Sequence, residues 1–195
     1  MRILSSILAV LIVGLWLAGC GGGSQQAAVA PPPPPSDVPD WFSNPPSDPN
    51  FLFSPRTAAS LDLQLAIDKA TTDARVDIGR QLEVRVQGLQ KKFEEEVGTG
   101  NDAQLLAQFT QASKTVVSTT LNGSKIKSQK TLSEGRGYRA YVLMQYPIGA
   151  AADAFIQSMK KNDKTYTRFR ATETFKELDD EAQKFEDFKK NQGNQ

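Results

Sequence analysis

The stretch Tyr138–Pro147, YRAYVLMQYP, carries the strongest strand pattern in the chain. Both of its faces are apolar, so we expect neighbouring elements to cover both of them. A strand covered on both faces is typical of the centre of a sheet. The segment Lys125–Leu132 precedes it across the glycine-rich turn SEGRG, so the sequence predicts a β-hairpin. One face of the second arm has Tyr138, Ala140, Val142, Met144 and Tyr146, and the other has Tyr141 and Leu143.

Two amphipathic helices are predicted before the hairpin. The first runs from Ser60, a candidate N-cap, to about Gly79, and the second runs from Asn101 or Asp102 to about Asn122-Gly123. In each, apolar residues recur at spacings of three and four and form one stripe. The stripes consist of Leu63, Ala66, Ile67, Ala70, Ala74 and Ile78 in the first helix, and of Leu105, Phe109, Ala112 and Val116 in the second.

Between the two helices the sequence favours a half-buried strand. Leu82, Val84 and Val86 alternate with polar residues, which is the period of a strand with one buried face. The next segment, GLQKKFEEE at 88–96, is interpreted as an exposed strand end or a frayed helix, since its mixed charges disfavour a metal-binding patch.

A proline-rich segment opens the domain. Its prolines exclude a regular helix, and Phe51–Phe53 is expected to form a short strand. Trp41 leaves two interpretations open: it pins this segment to the core, or it offers a stacking surface to a ligand.

Composition narrows the functional classes. The chain has 23 Lys+Arg against 22 Asp+Glu, a balance that argues against a general nucleic-acid binder. It has no histidine, which removes Ser-His and Cys-His catalysis, and its single cysteine excludes an intrachain disulfide. Asp73 and Asp77 lie one helical turn apart, but flanking opposite charges indicate a solvated ion-pair face rather than catalytic carboxylates. No catalytic, cofactor-binding or metal-binding residue is predicted, and we do not expect an enzyme.

The single cysteine follows an N-terminal apolar run. Arg2 precedes Ile3–Leu17, which is too short to cross a bilayer comfortably and suits an export signal. Leu17-Ala18-Gly19-Cys20 then resembles a bacterial lipobox. The resemblance implies cleavage between Gly19 and Cys20, removal of residues 1–19, and N-acyl and diacylglyceryl groups on Cys20. A plain signal peptide, or an uncleaved anchor with an incidental cysteine, is the alternative. Gly21 stands where an aspartate would favour inner-membrane retention, so outer-membrane placement is expected in a two-membrane cell.

Residues 20–38 are expected to form a tether. Glycine, serine and glutamine cannot bury enough apolar surface to fold, and Pro31–Pro35 predicts a polyproline II rod about 15 Å long. A ligand for a proline-recognising domain is the alternative interpretation.

Residues 150–195 are predicted to be a helical extension with a break near Lys161-Asn162-Asp163. Its apolar residues are spaced like a coiled-coil seam but cover only about two heptads. Two interpretations are open: the stripe folds back onto the domain, or it binds a partner or a second copy. A partner surface would use Trp41, Phe175, Leu178, Phe185 and Phe188.

The order of these features resembles a known family. Five features follow one another in this order: Trp41 after Pro39-Asp40, the helix with AIDKATTDAR, the strand LEVRV, the second helix and the hairpin GYRAYVLMQYP. This order resembles the twenty-kilodalton membrane-associated bacterial lipoprotein family, often called Lpp-twenty. The match covers about residues 39–149. It implies an α+β domain, with two or three helices on a small, mostly antiparallel sheet. It also implies an outer-membrane or flagellar accessory role and brings no catalytic residues.

The expected function is a non-enzymatic, structural or assembly role in the cell envelope. The partners are the membrane, through the lipid anchor, and an envelope protein or a second copy. A ligand-binding module for peptidoglycan or lipid is the alternative, and a carboxylate-based hydrolase is a third, weaker one.

Overall fold

The computed structural model describes residues 37–98 and 102–193. The predicted signal peptide, its cleavage site, Cys20 and the tether as far as Ser36 lie outside these residues. In chain order, the described elements are α1 (Asp40–Ser43), β1 (Phe51–Ser60), α2 (Leu63–Val97), α3 (Ala103–Gly123), β2 (Lys125–Glu134), β3 (Gly137–Pro147), α4 (Ile148–Met159), α5 (Asp163–Phe169) and α6 (Glu173–Gly193).

The sheet has the order β1-β3-β2, with β3 antiparallel to both neighbours. The predicted hairpin and the central position of its second arm are therefore confirmed. β1 is longer than the expected Phe51–Phe53 and continues through Pro55 to Ser60. A proline is tolerated there because an edge strand pairs on one side only.

The first long helix begins later than predicted. Ser60 is the last residue of β1, and Asp62 is the N-cap of α2, where its carboxylate accepts the Leu65 N–H at 2.7 Å. The Ser60 hydroxyl accepts the Asp62 N–H at 3.2 Å. Of the two candidate caps of the second helix, Asn101 and Asp102, Asp102 caps α3 and accepts the Leu105 N–H at 3.2 Å.

The strand predicted at Leu82–Val86 is wrong, because α2 continues without interruption to Val97. Leu82 and Val86 are buried, whereas Val84 is 69% exposed. Residues four apart share a face of a helix as well as of a strand, so the alternation was ambiguous. Phe93, seven residues beyond Val86, extends the same buried stripe.

The length of α2 divides the fold into two regions. A helix of this length spans about 52 Å, whereas a strand of ten residues spans about 33 Å. The first half of α2 covers one face of the sheet with its small residues Ala66, Ala70 and Ala74. The second half packs among α3, α4 and α6. Every buried residue of the core cluster lies between Ala66 and Ala182.

The second face of the sheet carries the segment that opens the domain. The expectation that its prolines exclude a regular helix is wrong for Asp40–Ser43, because Pro39 is the N-cap of α1 and lies outside the turn that a proline would break. Phe42 in α1 meets Tyr141 edge-on, with ring centroids 5.0 Å apart. Lys130 Nζ in β2 donates to the Asp37 carbonyl oxygen at 2.9 Å. This cover accounts for the burial of Tyr141, on the face opposite α2.

The C-terminal region forms three helices among the described residues. The predicted break near Asn162 separates α4 from α5, and Asn162 caps α5. A further break before Glu173 was not predicted. Residue 150 lies inside α4, whose Phe155 and Met159 belong to the same core as the sheet. Six helices and a three-stranded antiparallel sheet make the described chain an α+β fold with a C-terminal helix.

Candidate partner surface around the terminal helix

The terminal helix α6 packs chiefly on α4, at a point of close backbone approach. Gly149 lies where the two helices cross. A Cβ placed on Gly149 would lie 2.3 Å from the Glu181 carbonyl oxygen and 2.4 Å from the Phe185 Cβ. The absence of a side chain at 149 is what lets α6 lie this close.

A small cleft opens where α6 reaches the start of β1. Phe51 and Phe188 meet edge-on with ring centroids 5.2 Å apart, and Lys189 lies 4.8 Å from the centroid of the Phe185 ring. Phe188 remains 37% exposed. The cleft has a volume of about 40 Å³, well below the roughly 300 Å³ at which small-molecule sites begin.

The structure separates the residues predicted to form one partner surface. It brings Phe185 and Phe188 together at this cleft. Leu178 is buried in the core of its own domain, and Phe175 packs against Tyr166 and Phe169. Trp41 lies in α1, which contacts β1 and β3. The stripe of α6 thus folds back onto the domain, the first of the two interpretations.

Three residues of α2 make polar contacts with α6. Arg85 pairs with Glu181, and Lys92 pairs with Glu177. The Glu96 carboxylate accepts the Glu173 N–H at 2.6 Å and also the Thr174 N–H and hydroxyl. The segment with mixed charges at 88–96 is therefore helical and binds the terminal helix. Nothing in the sequence pairs residues that are 77 to 96 positions apart, so these contacts could not be predicted.

Glu96 is expected to stabilise the beginning of α6. It satisfies two N–H groups that a helix leaves unpaired, and its negative charge suits a helix N-terminus. Glu96→Ala should lower the free energy of unfolding by about 1–2 kcal/mol, measured by urea denaturation. Glu95→Ala is the matched control, because Glu95 is exposed and its one ion pair is with exposed Lys91 at 4.0 Å. Equal losses in the two variants would contradict the assignment.

Glu181 has a perturbed acidity. Burial raises the pKa of the Glu181 carboxyl, the Arg85 guanidinium opposes this, and the Glu177 carboxylate adds to the rise. A carboxyl whose pKa is higher in the folded chain stabilises the fold most below its unfolded pKa. This contribution is lost as the pH rises through the folded pKa.

Glu181→Gln should therefore change how stability depends on pH. The free energy of unfolding of the wild-type chain minus that of Glu181→Gln should decrease as the pH rises from about 4 towards neutrality. Denaturant titrations at several pH values measure this difference. A difference that stays constant over the range, or that changes in the opposite direction, would contradict it.

Two larger grooves flank the second half of α2. One, of about 300 Å³, lies between α2 and α6 beneath the Arg85–Glu181 and Lys92–Glu177 pairs. The other, of about 320 Å³, lies between α2 and α3 and has Val86 and Val117 among mostly polar residues. Both are at the lower end of the size of small-molecule sites. Trp41 lines neither groove and does not line the small cleft.

The acidic pair considered at the sequence level is split between two environments. Asp77 pairs with Arg56 of β1 at 2.5 Å and accepts a hydrogen bond from Gln81, whereas Asp73 is exposed. Within residues 37–98 and 102–193, no cluster of three or more Asp, Glu, Cys or His side chains is arranged to hold a metal ion. None of the helices described has the length and apolar character needed to cross a bilayer.

Neither a protein-family model nor a curated protein sequence matches the chain. The likeness to the Lpp-twenty family stays a prediction from the order of sequence features.

Proposed function

We propose that the protein is a lipid-anchored lipoprotein of the cell envelope with a non-enzymatic, structural or assembly role. The observation that carries the proposal is Cys20, the single cysteine of 195 residues, placed directly after Leu17-Ala18-Gly19 and an apolar run. Several acyl chains on one residue hold a protein stably, since each buried CH₂ contributes about 0.8 kcal/mol.

The arrangement of the domain is consistent with this role. The N-terminal segment joins the domain across the sheet face opposite α2, through the Lys130–Asp37 contact. The terminal helix is fixed at its N-terminus by Glu96, and its last turns present the partly exposed Phe188 beside Phe51. A partner would meet Phe188 and Phe51 at this end of the domain. The outer membrane is the proposed location if the cell has two membranes.

Mass spectrometry of the native protein tests the anchor. We expect a mature chain that begins at Cys20 and carries diacylglyceryl and N-acyl groups, and we expect Cys20→Ser to move the protein from the membrane fraction to the soluble one. An unmodified Cys20, or a retained leader, would overturn the proposal.

Crosslinking in intact cells from a photo-reactive residue at 188, with one at exposed position 84 as the control, tests for an envelope partner.

A ligand-binding module for peptidoglycan or lipid is the second candidate. The groove between α2 and α3 favours it, because it has the volume of a small site and is lined by hydroxyl and amide groups that suit sugars. Titration of soluble peptidoglycan fragments into the wild-type chain and into Gln87→Ala tests it. Saturable binding that the substitution weakens supports this candidate, and absence of binding excludes these ligands.

A further inference from the structure

An exposed apolar tip stands at the end of the sheet where β1 passes into α2. It consists of Leu61, Leu63, Leu65 and Tyr138, which are 79%, 39%, 46% and 37% exposed. Ser60 pairs with Tyr138 across the sheet, so the strand end and the start of α2 meet here. A Cβ on Gly137 would lie 3.5 Å from the Leu61 Cα. Several exposed large apolar residues at one end of a domain mark an interaction site more often than isolated ones do.

We propose that this tip is the surface through which the tethered domain contacts the lipid bilayer. The inference rests on the proposed function, because only an anchored domain is held beside a membrane. It goes further, since it assigns to the domain a second, non-covalent membrane contact and an orientation.

The place where the chain enters the domain favours this end. The first described residue, Asp37, is held by Lys130, which is paired with Tyr141 in the sheet. Tyr141 is three residues from Tyr138, or about 10 Å along the strand. The 17 residues from Cys20 to Ser36 span at most about 60 Å, which is enough for this end of the sheet to reach the membrane.

The chemistry of the tip suits a lipid interface. Tyrosine is enriched where hydrocarbon meets water, because its ring is apolar and its hydroxyl is polar. Arg136 in the adjacent turn is exposed and forms no ion pair among the described residues, so it is available to anionic headgroups. The negative charges of two nearby acids are partly compensated, because Asp62 lies at the positive N-terminal end of α2 and Glu134 pairs with Arg139 at 2.7 Å.

The size of the tip disfavours a protein partner. Four partly exposed side chains offer a few hundred Å² at most, whereas a stable protein–protein interface buries about 800 Å² on each partner. Insertion into the headgroup region needs no such area, because each apolar side chain contributes separately.

The test uses the chain from residue 20 with Cys20→Ser, which has no acyl groups and contains the whole core. We expect it to co-sediment with vesicles of phosphatidylethanolamine and phosphatidylglycerol. The double variant Leu61→Ser/Leu65→Ser should lower the partition coefficient about tenfold. Arg136→Gln should lower it about fivefold at low salt and have less effect at high salt.

The matched control is Val76→Ser/Val84→Ser, which removes two exposed apolar residues from α2 away from the tip. It should bind as the parent does, and circular dichroism should show that all variants are folded. Equal losses in both double variants, or a parent that does not bind, would overturn the proposal. A dimer that Leu61→Ser/Leu65→Ser dissociates would also overturn it, because a second copy would then cover the tip. Failure of lipidation appears separately, in the mass of native Cys20.

Discussion

Gly149→Ala should lower the free energy of unfolding by about 3 kcal/mol, a large effect for one added methyl group. The new Cβ would overlap the Glu181 carbonyl oxygen, which belongs to a helix backbone and cannot rotate away. Alanine favours a helix over glycine by about 1 kcal/mol, which is less than the expected cost of the overlap. The helix α6 must therefore shift from α4, and its contacts with α2 weaken.

Urea denaturation measures the loss, and limited trypsin digestion locates it. Cleavage after Lys184, Lys189 and Lys190 should become faster in Gly149→Ala if α6 is displaced. Gly88→Ala is the matched control, because Gly88 also lies within a helix and a Cβ there meets nothing within 4 Å. It should raise the free energy of unfolding by about 0.5–1 kcal/mol. A stabilising Gly149→Ala would show that α6 does not pack as described.

The elements that the sequence predicts well are those fixed by local patterns. The hairpin has a glycine-rich turn between two strands, and apolar residues on both faces of Tyr138–Pro147 favour a central strand that other elements cover on both sides. The cap of α3 was narrowed to Asn101 or Asp102, because short polar side chains precede a regular apolar stripe, and the structure selects Asp102.

The second half of α2 shows where local pattern fails. Leu82 and Val86 suit either a strand or a helix, and only the later packing of Phe93 decides between them. Phe93 lies among lysines and glutamates, so its neighbours in the sequence give no sign that it is buried. The aromatic residues that bury it come from α3 and α5, which are distant in the sequence.

The candidate surface depends even more on tertiary structure. The sequence identifies the apolar residues of the terminal helix, but it cannot separate Leu178, which is buried, from Phe188, which is partly exposed. That distinction follows from the crossing of α4 and α6 at Gly149, and a single glycine gives no signal of a helix crossing. The sequence also gives no sign of the apolar tip. Tyr138 is more than 70 positions from Leu61, Leu63 and Leu65, and it comes close to them only when β1 pairs with β3.

Phe109→Ala should have the other large effect, a loss of about 3–5 kcal/mol in the free energy of unfolding. Phe109 is 1% exposed and stacks on Phe93 with ring centroids 4.0 Å apart. It also contacts Phe155 at 4.7 Å and Phe169 at 6.0 Å between centroids. These rings belong to α2, α3, α4 and α5, so one truncation leaves a cavity where four helices meet.

Phe188→Ala is the control for Phe109→Ala, because it removes the same side chain from a site where the ring is 37% exposed. It should lower the free energy of unfolding by about 1–2 kcal/mol, clearly less than Phe109→Ala. Thermal and urea denaturation of both variants measure the difference. Similar losses would mean that the aromatic cluster does not stabilise the helical region. A large loss confined to Phe109→Ala would show that the helices beyond the sheet depend on this cluster. The cluster also contacts α6, because the ring of Phe169 packs against the ring of Phe175.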